Sequence, residues 1–398
     1  MIKWQQVKLG ELYDVHNGLS KSRDAFGTGY PFLSFSEVFN NYFLPNKLEQ
    51  LVESTQKEQD SYSIHRGDVF ITRTSETMDE LGMSCVALHD YPNATYNGFT
   101  KRLRPKYPDR VLPEYIGYFL RTPLFRSKFV AFSTMTTRAS LRNEDLLAMQ
   151  VSLPPIEVQR KIADVLSAYD DLIENNRKQI KLLEEAAQRL YKEWFIDLRF
   201  PGHEDTPVVN GLPDGWEKKK LVEIADIIMG QSPKSEFYNS NHDGLPFHQG
   251  VGSYGVRFVI DETYSSSFTR IAEAGDILFS VRAPVGRLNI TLNKIAIGRG
   301  LAAIKHKNNL QSFLYYMLKE HFFKDDIIGN GSIFASITKD ELTNFVLLVP
   351  RQDICEKFNT LTKDIDSKVM ILDKQIQSIK ETRDRLLPKL MTGELEVE

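Results

Sequence analysis

The sequence predicts a tandem repeat of two mixed α/β (α+β) domains, joined by two long helices that pair as an antiparallel coiled coil in a pseudo-two-fold arrangement. Three observations predict it. Ordered internal matches run along the chain at a slowly changing shift. Short apolar runs bounded by turn residues lie within each copy. Each copy then ends in one long stripe of apolar residues at alternating three- and four-residue spacing.

The repeat comes first. Trp4–Ser20 aligns with Trp216–Ser232 at a shift of 212, where Trp4, Leu9, Glu11, Asp14, Gly18 and Ser20 meet identical residues. Gly67-Asp68-Val69-Phe70-Ile71 aligns with Gly275-Asp276-Ile277-Leu278-Phe279 at 208. Tyr115–Leu120 aligns with Phe313–Leu318 at 198, and Ala139-Ser140-Leu141 with Ala335-Ser336-Ile337 at 196. The last shift persists through Pro154/Pro350, Asp170/Asp366, Gln179/Gln375 and Arg189/Arg385. It changes only between blocks, as differences in loop length would produce.

Within each copy, Val69–Thr72, Ser84–Leu88, Ile277–Ser280 and Phe345–Val349 read as strands. Pro113–Arg121 and Asn309–Phe323 read as helices. The Gly-Asp pairs at Asp68 and Asp276 read as turns before a strand, a structural role. The segment from Arg199 to Gly215 holds three prolines and three glycines and reads as a loop. The expected organisation is a first mixed domain over 1–155 and a central long helix over 156–198. Then come a linker (199–212) with the second mixed domain to 350, and a C-terminal long helix and tail over 351–398.

The two helices carry matching stripes. The first runs through Leu166, Tyr169, Ile173, Asn176, Ile180, Leu183, Ala187, Leu190 and Trp194. The second runs through Thr362, Ile365, Val369, Leu372, Ile376, Ile379, Arg383, Leu386 and Leu390. Such a stripe requires a partner, and pairing the two with each other satisfies both. Asn176 and Arg383 interrupt the stripes as polar residues that fix register. At about 1.5 Å per residue the first helix is roughly 60 Å long, a span of about 18 base pairs. The expectation is therefore one domain at each end of a ruler.

Composition sets limits. The chain has 398 residues and a formal net charge of -3, an ordinary soluble balance that argues against a uniformly basic nucleic-acid binder. The distribution says more. No acid occurs between Glu114 and Glu144, a stretch holding Arg121, Arg126, Lys128, Arg138 and Arg142. None occurs between Asp276 and Glu320, which holds seven lysines and arginines, nor from Tyr91 to Pro108. Such stretches supply local positive faces on a near-neutral protein. The first residues do not read as a signal peptide, and no apolar run spans a bilayer, so a cytoplasmic protein with two reduced thiols, Cys85 and Cys355, is expected.

Catalytic motifs are not found. The chain has no G-x-x-x-x-G-K-[ST] loop, no complete G-x-G-x-x-G, no Asn-Pro-Pro-aromatic motif and no metal-spaced histidines. Neither a catalytic site nor a metal is expected in this chain.

The sequence resembles the specificity subunits of type I restriction-modification enzymes. The residues that carry the resemblance are the paired tryptophan starts, the Gly-Asp turns, and the run Pro154-Pro155-Ile156-Glu157-Val158-Gln159-Arg160. Trp194-Phe195 leading to Leu212-Pro213-Asp214-Gly215-Trp216, and the ending Leu386-Leu387-Pro388-Lys389-Leu390-Met391-Thr392-Gly393, are similar too. One departure is that Cys355 stands where the second copy should repeat Gln159.

The resemblance implies two target-recognition domains, each binding half of a split site on double-stranded DNA. It implies partners: modification (adenine methyltransferase) subunits, two of them expected, and restriction (motor-nuclease) subunits. S-adenosylmethionine, ATP and Mg2+ would belong to those partners and no cofactor to this chain. Arginine and lysine read guanine edges, and glutamine reads adenine. The candidates for contact with DNA are accordingly Arg73, Lys101, Arg102, Arg138 and Arg142 in the first domain, and Gln249, Arg282, Arg287 and Arg299 in the second. The alternatives are a coiled-coil scaffold that binds only proteins, and a specificity subunit of another restriction architecture.

Overall fold

A computed structural model describes residues 4–75, 81–132, 134–135, 139–322 and 336–397. It divides into two compact units, residues 1–173 with 378–398, and residues 174–377. Each unit has its own core.

The first unit is built on a four-stranded antiparallel sheet. Its strands, in spatial order, are Tyr13–Asn17, Thr100–Pro105, Val69–Thr72 and Ser84–Val86. Val69–Thr72 is buried throughout, as a central strand covered on both faces must be. A smaller sheet pairs Phe26–Leu33 with Leu51–Val52 and, in parallel, with Thr95–Tyr96. The strand Gln5–Lys8 pairs antiparallel with Gln150–Leu153, fastening the start of the domain to the strand that leads into the long helix. Helix Pro113–Phe119 starts on a proline at its first turn, where no amide is needed, and buries Tyr115, Ile116, Tyr118 and Phe119.

The second unit repeats this plan. Its four-stranded sheet is Ala225–Met229, Leu301–His306, Ile277–Ser280 and Leu288–Ile290 in the same order. Glu217–Lys220 pairs with Val346–Val349, as Gln5–Lys8 does with its own partner. Even the registers correspond: Tyr13 faces Pro105 and Ala225 faces His306, while Val69 faces Leu103 and Ile277 faces Ile304. The Gly-Asp turns are structural in both copies. Gly67 and Gly275 each take φ of 89°, a region open to glycine. Asp68 and Asp276 each accept the backbone N–H three residues before, His65 and Glu273 respectively.

The long helices are continuous, Ile156–Phe195 and Gln352–Thr392. Their stripes lie inward as the spacing predicts. Leu166, Ile173, Ile180, Val369, Leu372 and Ile376 are at most 3% exposed. Tyr169, Leu183, Leu190, Ile365, Ile379 and Leu386 are half-buried. In the first unit Ile162 and Leu166 share a core with Leu387, Leu390 and Met391, and Asp170 accepts a hydrogen bond from Arg383. In the second unit Asn176 donates to Gln375, 3.4 Å away, while Trp194 packs on Phe358 with ring centroids 5.8 Å apart. In each unit the pairing is antiparallel. The polar interruptions of the stripe are thus matched side chains: Asn176 with Gln375, and Arg383 with Asp170.

Two local readings differ from the structure. The segment expected as plain loop contains a two-residue hairpin, Val208–Val209 with Leu212–Pro213, turned by Asn210 and Gly211 at positive φ. The central helix ends at Phe195 and not at 198, because Leu198 at φ 58° turns the chain and Arg199 N–H closes back on Glu193 O. The second helix continues through Pro388 to Thr392, in keeping with its stripe through Leu390, and Leu387, Leu390 and Met391 are buried in the first unit's core and hold the last turn in place.

Candidate nucleic-acid interface

In each unit the strand registers bring the same set of loops to one edge. In the second unit Gly230 and Gln231 follow strand Ala225–Met229, and Val281 follows Ile277–Ser280. The turn Gly298-Arg299-Gly300 precedes Leu301–His306. Backbone bonds tie these together: Gly230 N–H to Leu301 O, Gln231 N–H to Ile297 O, Val281 N–H to Gly300 O, and Leu301 N–H to Gly298 O. Gln249 joins the edge because Gly298 N–H donates to His248 O and Gly300 N–H to Gln249 O.

The first unit makes all but one of these bonds with different residues, the N–H at the position of Gly300 donating there to a side chain, from Phe99 to Asn97 Oδ1. Gly18 N–H donates to Thr100 O, Leu19 N–H to Tyr96 O, Arg73 N–H to Phe99 O, Thr100 N–H to Asn97 O, and Asn97 N–H to Leu33 O. Leu141 N–H then donates to Arg73 O, as Ile337 N–H does to Val281 O. The glycines at Gly18 and Gly230 are required by close approach. A Cβ at either would lie 2.0 or 2.1 Å from a carbonyl oxygen, of Asn97 or Gly298 respectively.

On the second unit's edge Gln249, Arg282 and Arg299 are all exposed, and Arg270 and Gln231 stand exposed beside them. Thr269 donates to Gln231 Oε1 at 3.3 Å. Two arginines and an amide singled out from sequence therefore come together. Arg270 and Gln231 are not singled out by the sequence; long-range bonds bring them to the edge, Ile297 N–H to Arg270 O and the Thr269 hydroxyl to Gln231, and such pairings leave no local signal. Arg287 is bonded through its backbone to Ser280, next to this edge, but its side chain is not among the exposed ones. It is half-buried and lines a cavity of about 350 Å³ with Glu184, Tyr254, Tyr315 and Lys319.

The first unit sorts its candidates differently. Arg73 is half-buried on the edge. Arg142 is exposed beside it and paired with Asp145 at 2.8 Å. Arg138 lies outside the described residues. Lys101 and Arg102 are interior residues, 4% and 7% exposed. Lys101 Nζ bonds Asn143, and burial together with neighbouring Arg73 lowers its pKa. Arg102 donates to Ser63 O at 2.7 Å and stacks over Tyr96. Their strand is central, so these cations serve the domain's own polar groups and present no open face. Charge alone in the sequence could not reveal this; strand position decides it. Phe99, by contrast, is not singled out by the sequence and is 53% exposed at the tip of this edge.

Each unit also holds an equivalent internal anchor on its long helices. Tyr118 donates to Asp170 at 2.6 Å, and the equivalent Tyr316 donates to Asp366 at 2.9 Å. Arg383 completes the first set from the second long helix. Arg257, fully buried, completes the other from a loop, bonding Asp366 at 2.7 Å and Glu184 at 3.2 Å. Its guanidinium lies 3.4 Å from the Tyr315 ring centroid. Gln159 is a further anchor. It is 1% exposed, accepts from Leu112 N–H and donates to Arg110 O and Pro154 O. Cys355, its counterpart, reaches only Pro350 O, and borders a cavity of about 300 Å³. Among the described residues no cluster of three or more His, Cys, Asp or Glu is placed to hold a metal ion. No helix among them is long and apolar enough to cross a membrane.

Two units of one plan, each offering a loop edge with its own exposed side chains, define a duplicated recognition protein. The chain belongs to the type I restriction modification DNA specificity domain family, whose model matches residues 1–185 and again 213–381. It is a DNA specificity subunit of that class. It is 28% identical over 419 residues to the type I restriction enzyme MjaIX specificity subunit of Methanocaldococcus jannaschii, covering 99% of this chain and 94% of that one. It is 23% identical to the HindI specificity subunit of Haemophilus influenzae, covering 99% and 100%. The crystal structure of the type I restriction-modification S subunit from M. genitalium matches with a TM-score of 0.55 at 16% identity, over 98% of this chain and 96% of that one, a likeness of fold.

Proposed function

We propose that each unit reads one half of a split site on duplex DNA through its loop edge, and that the chain is non-catalytic. On this reading it recruits modification subunits, two of them, that methylate adenine with S-adenosylmethionine, and motor-nuclease subunits that use ATP and Mg2+. One observation carries the reading. The two edges share a hydrogen-bonded backbone frame, yet display different side chains: Arg73, Arg142 and Phe99 on one, Gln249, Arg282 and Arg299 on the other. A shared frame with changed side chains is what two different base sequences require, since phosphate contacts position a protein and base-edge contacts specify the sequence. The near-neutral charge fits a chain that binds DNA weakly until partners add contacts.

The test is reconstitution. The purified chain and the mixture with modification subunits are assayed for duplex binding and for methyl transfer. Binding should be weak and unselective alone and sequence-specific in the mixture, with methylation in the mixture only. Methyl transfer by the pure chain, or a mixture that shows no sequence preference, would overturn the reading.

A further inference from the structure

We infer that Phe99 is a base-reading residue of the first unit, contacting the 5-methyl group of a thymine; this rests on the DNA reading above. A single exposed apolar side chain is ordinary. The place of this one is not. Asn97-Gly98-Phe99 is the counterpart of Gly298-Arg299-Gly300, since the strands on either side keep one register in both units. Three backbone bonds recur in both turns, those made by Asn97, Thr100 and Arg73 N–H and by Gly298, Leu301 and Val281 N–H; where Gly300 N–H donates to Gln249 O, Phe99 N–H donates instead to Asn97 Oδ1 at 2.6 Å.

The glycines are exchanged between the two turns. The second unit presents Arg299 from the middle position, with Gly300 behind it. There a Cβ would lie 2.3 Å from the backbone oxygen of Gln249. The first unit has Gly98 in the middle, where a Cβ would lie 2.4 Å from Ser20 Oγ, and presents Phe99 from the third position instead. Each turn therefore offers one exposed side chain on its edge, and the two differ wholly in chemistry. Arg299 can donate two hydrogen bonds to a guanine edge. Phe99 has neither donor nor acceptor beyond its backbone. On a base edge in the major groove, the one apolar group it can meet is the thymine methyl.

The test uses the reconstituted complex with modification subunits. Duplexes carrying the mapped site have each thymine replaced singly by uracil, which removes only the methyl group. At one position of one half-site, wild-type affinity should fall about four-fold, the effect of one buried methyl group. Phe99→Ala should fall about ten-fold on the unmodified duplex and be insensitive to uracil at that position. Phe99→Leu should keep part of the sensitivity. The half concerned should be the one that Arg299→Ala leaves unchanged. Phe99 is exposed, so thermal unfolding of the variants should match wild type.

Wild-type binding indifferent to every thymine methyl in that half-site overturns the assignment, whatever the variants do. So does a Phe99→Ala complex that keeps wild-type affinity, or one whose loss multiplies independently with that of uracil, as a wedge between base steps would give. A wild-type complex without sequence preference overturns the DNA reading itself.

Discussion

His306 ends a strand of the second unit, 6% exposed, and its Nδ1 accepts the backbone N–H of Asn308 at 3.0 Å. An accepting nitrogen carries no proton, and burial pushes the side-chain pKa down to about 4. The unfolded chain takes up a proton near pH 6.5 and the folded one does not until about pH 4. The histidine's contribution to stability is thus complete above pH 6.5 and lost as pH falls toward 4, by at most about 1.4 kcal/mol per pH unit. Urea unfolding of wild type and His306→Gln between pH 7.5 and 4.5 should show a steeper loss for wild type. Parallel curves would mean the imidazole titrates freely. At the exposed edge, Arg299→Ala should cost about 1–3 kcal/mol in recognition of one half-site and relax its sequence. A phosphate contact would instead weaken all sequences alike, and competition binding with altered half-sites separates the two. These residues are unevenly legible in the sequence. Arg299 and Gln249 are among the candidates because arginine and amide side chains can read base edges, and both stand exposed on the edge. Lys101 and Arg102 mislead because positive charge in a sequence says nothing about strand order, and a central strand turns them inward.

At the scale of elements, the anchors decide how firmly each recognition domain sits on its helices. Arg257 has no exposure and faces Asp366 and Glu184. Removing one partner of a buried ion pair leaves an uncompensated charge and costs about 3–5 kcal/mol. Arg257→Met should therefore destabilise the second unit by about that amount, and Asp366→Asn on top of it should recover part of the loss. Simple addition of the two losses in calorimetry would show that the groups do not act as a pair. Gln159→Leu should cost about 2 kcal/mol or more in the first unit, because Leu112 N–H and two carbonyls lose a buried partner. The same change at Cys355 should cost far less, since that thiol reaches one carbonyl at 3.5 Å. The helices are the most legible elements, because apolar residues at three- and four-residue spacing over so many turns share a face only when the backbone is helical. Tyr118–Asp170 and Tyr316–Asp366 are visible in the sequence only as matched letters; that they bond each other follows from the fold. Arg257 leaves no signal, since its partner set is completed in the first unit by Arg383, from a different part of the chain.

At the scale of the whole molecule, duplication is the fact from which the rest follows. One backbone plan, repeated with the same sheet order and the same edge bonds, allows two recognition surfaces to diverge while their supports stay fixed. The repeat is legible because its glycines, aspartates and tryptophans hold turns and cores that tolerate little change. The edges are less so, because divergence there is the function, and a residue such as Phe99 breaks the expectation that readers are polar. The central claim is that two independent readers share one chain. The most direct measurement is genome-wide mapping of methylated adenines in cells carrying the complete system with wild type, Arg299→Ala or Phe99→Ala. The account predicts a two-part motif for wild type, with Arg299→Ala relaxing one half only and Phe99→Ala the other. A single uninterrupted motif, or both variants altering the same half, would contradict it.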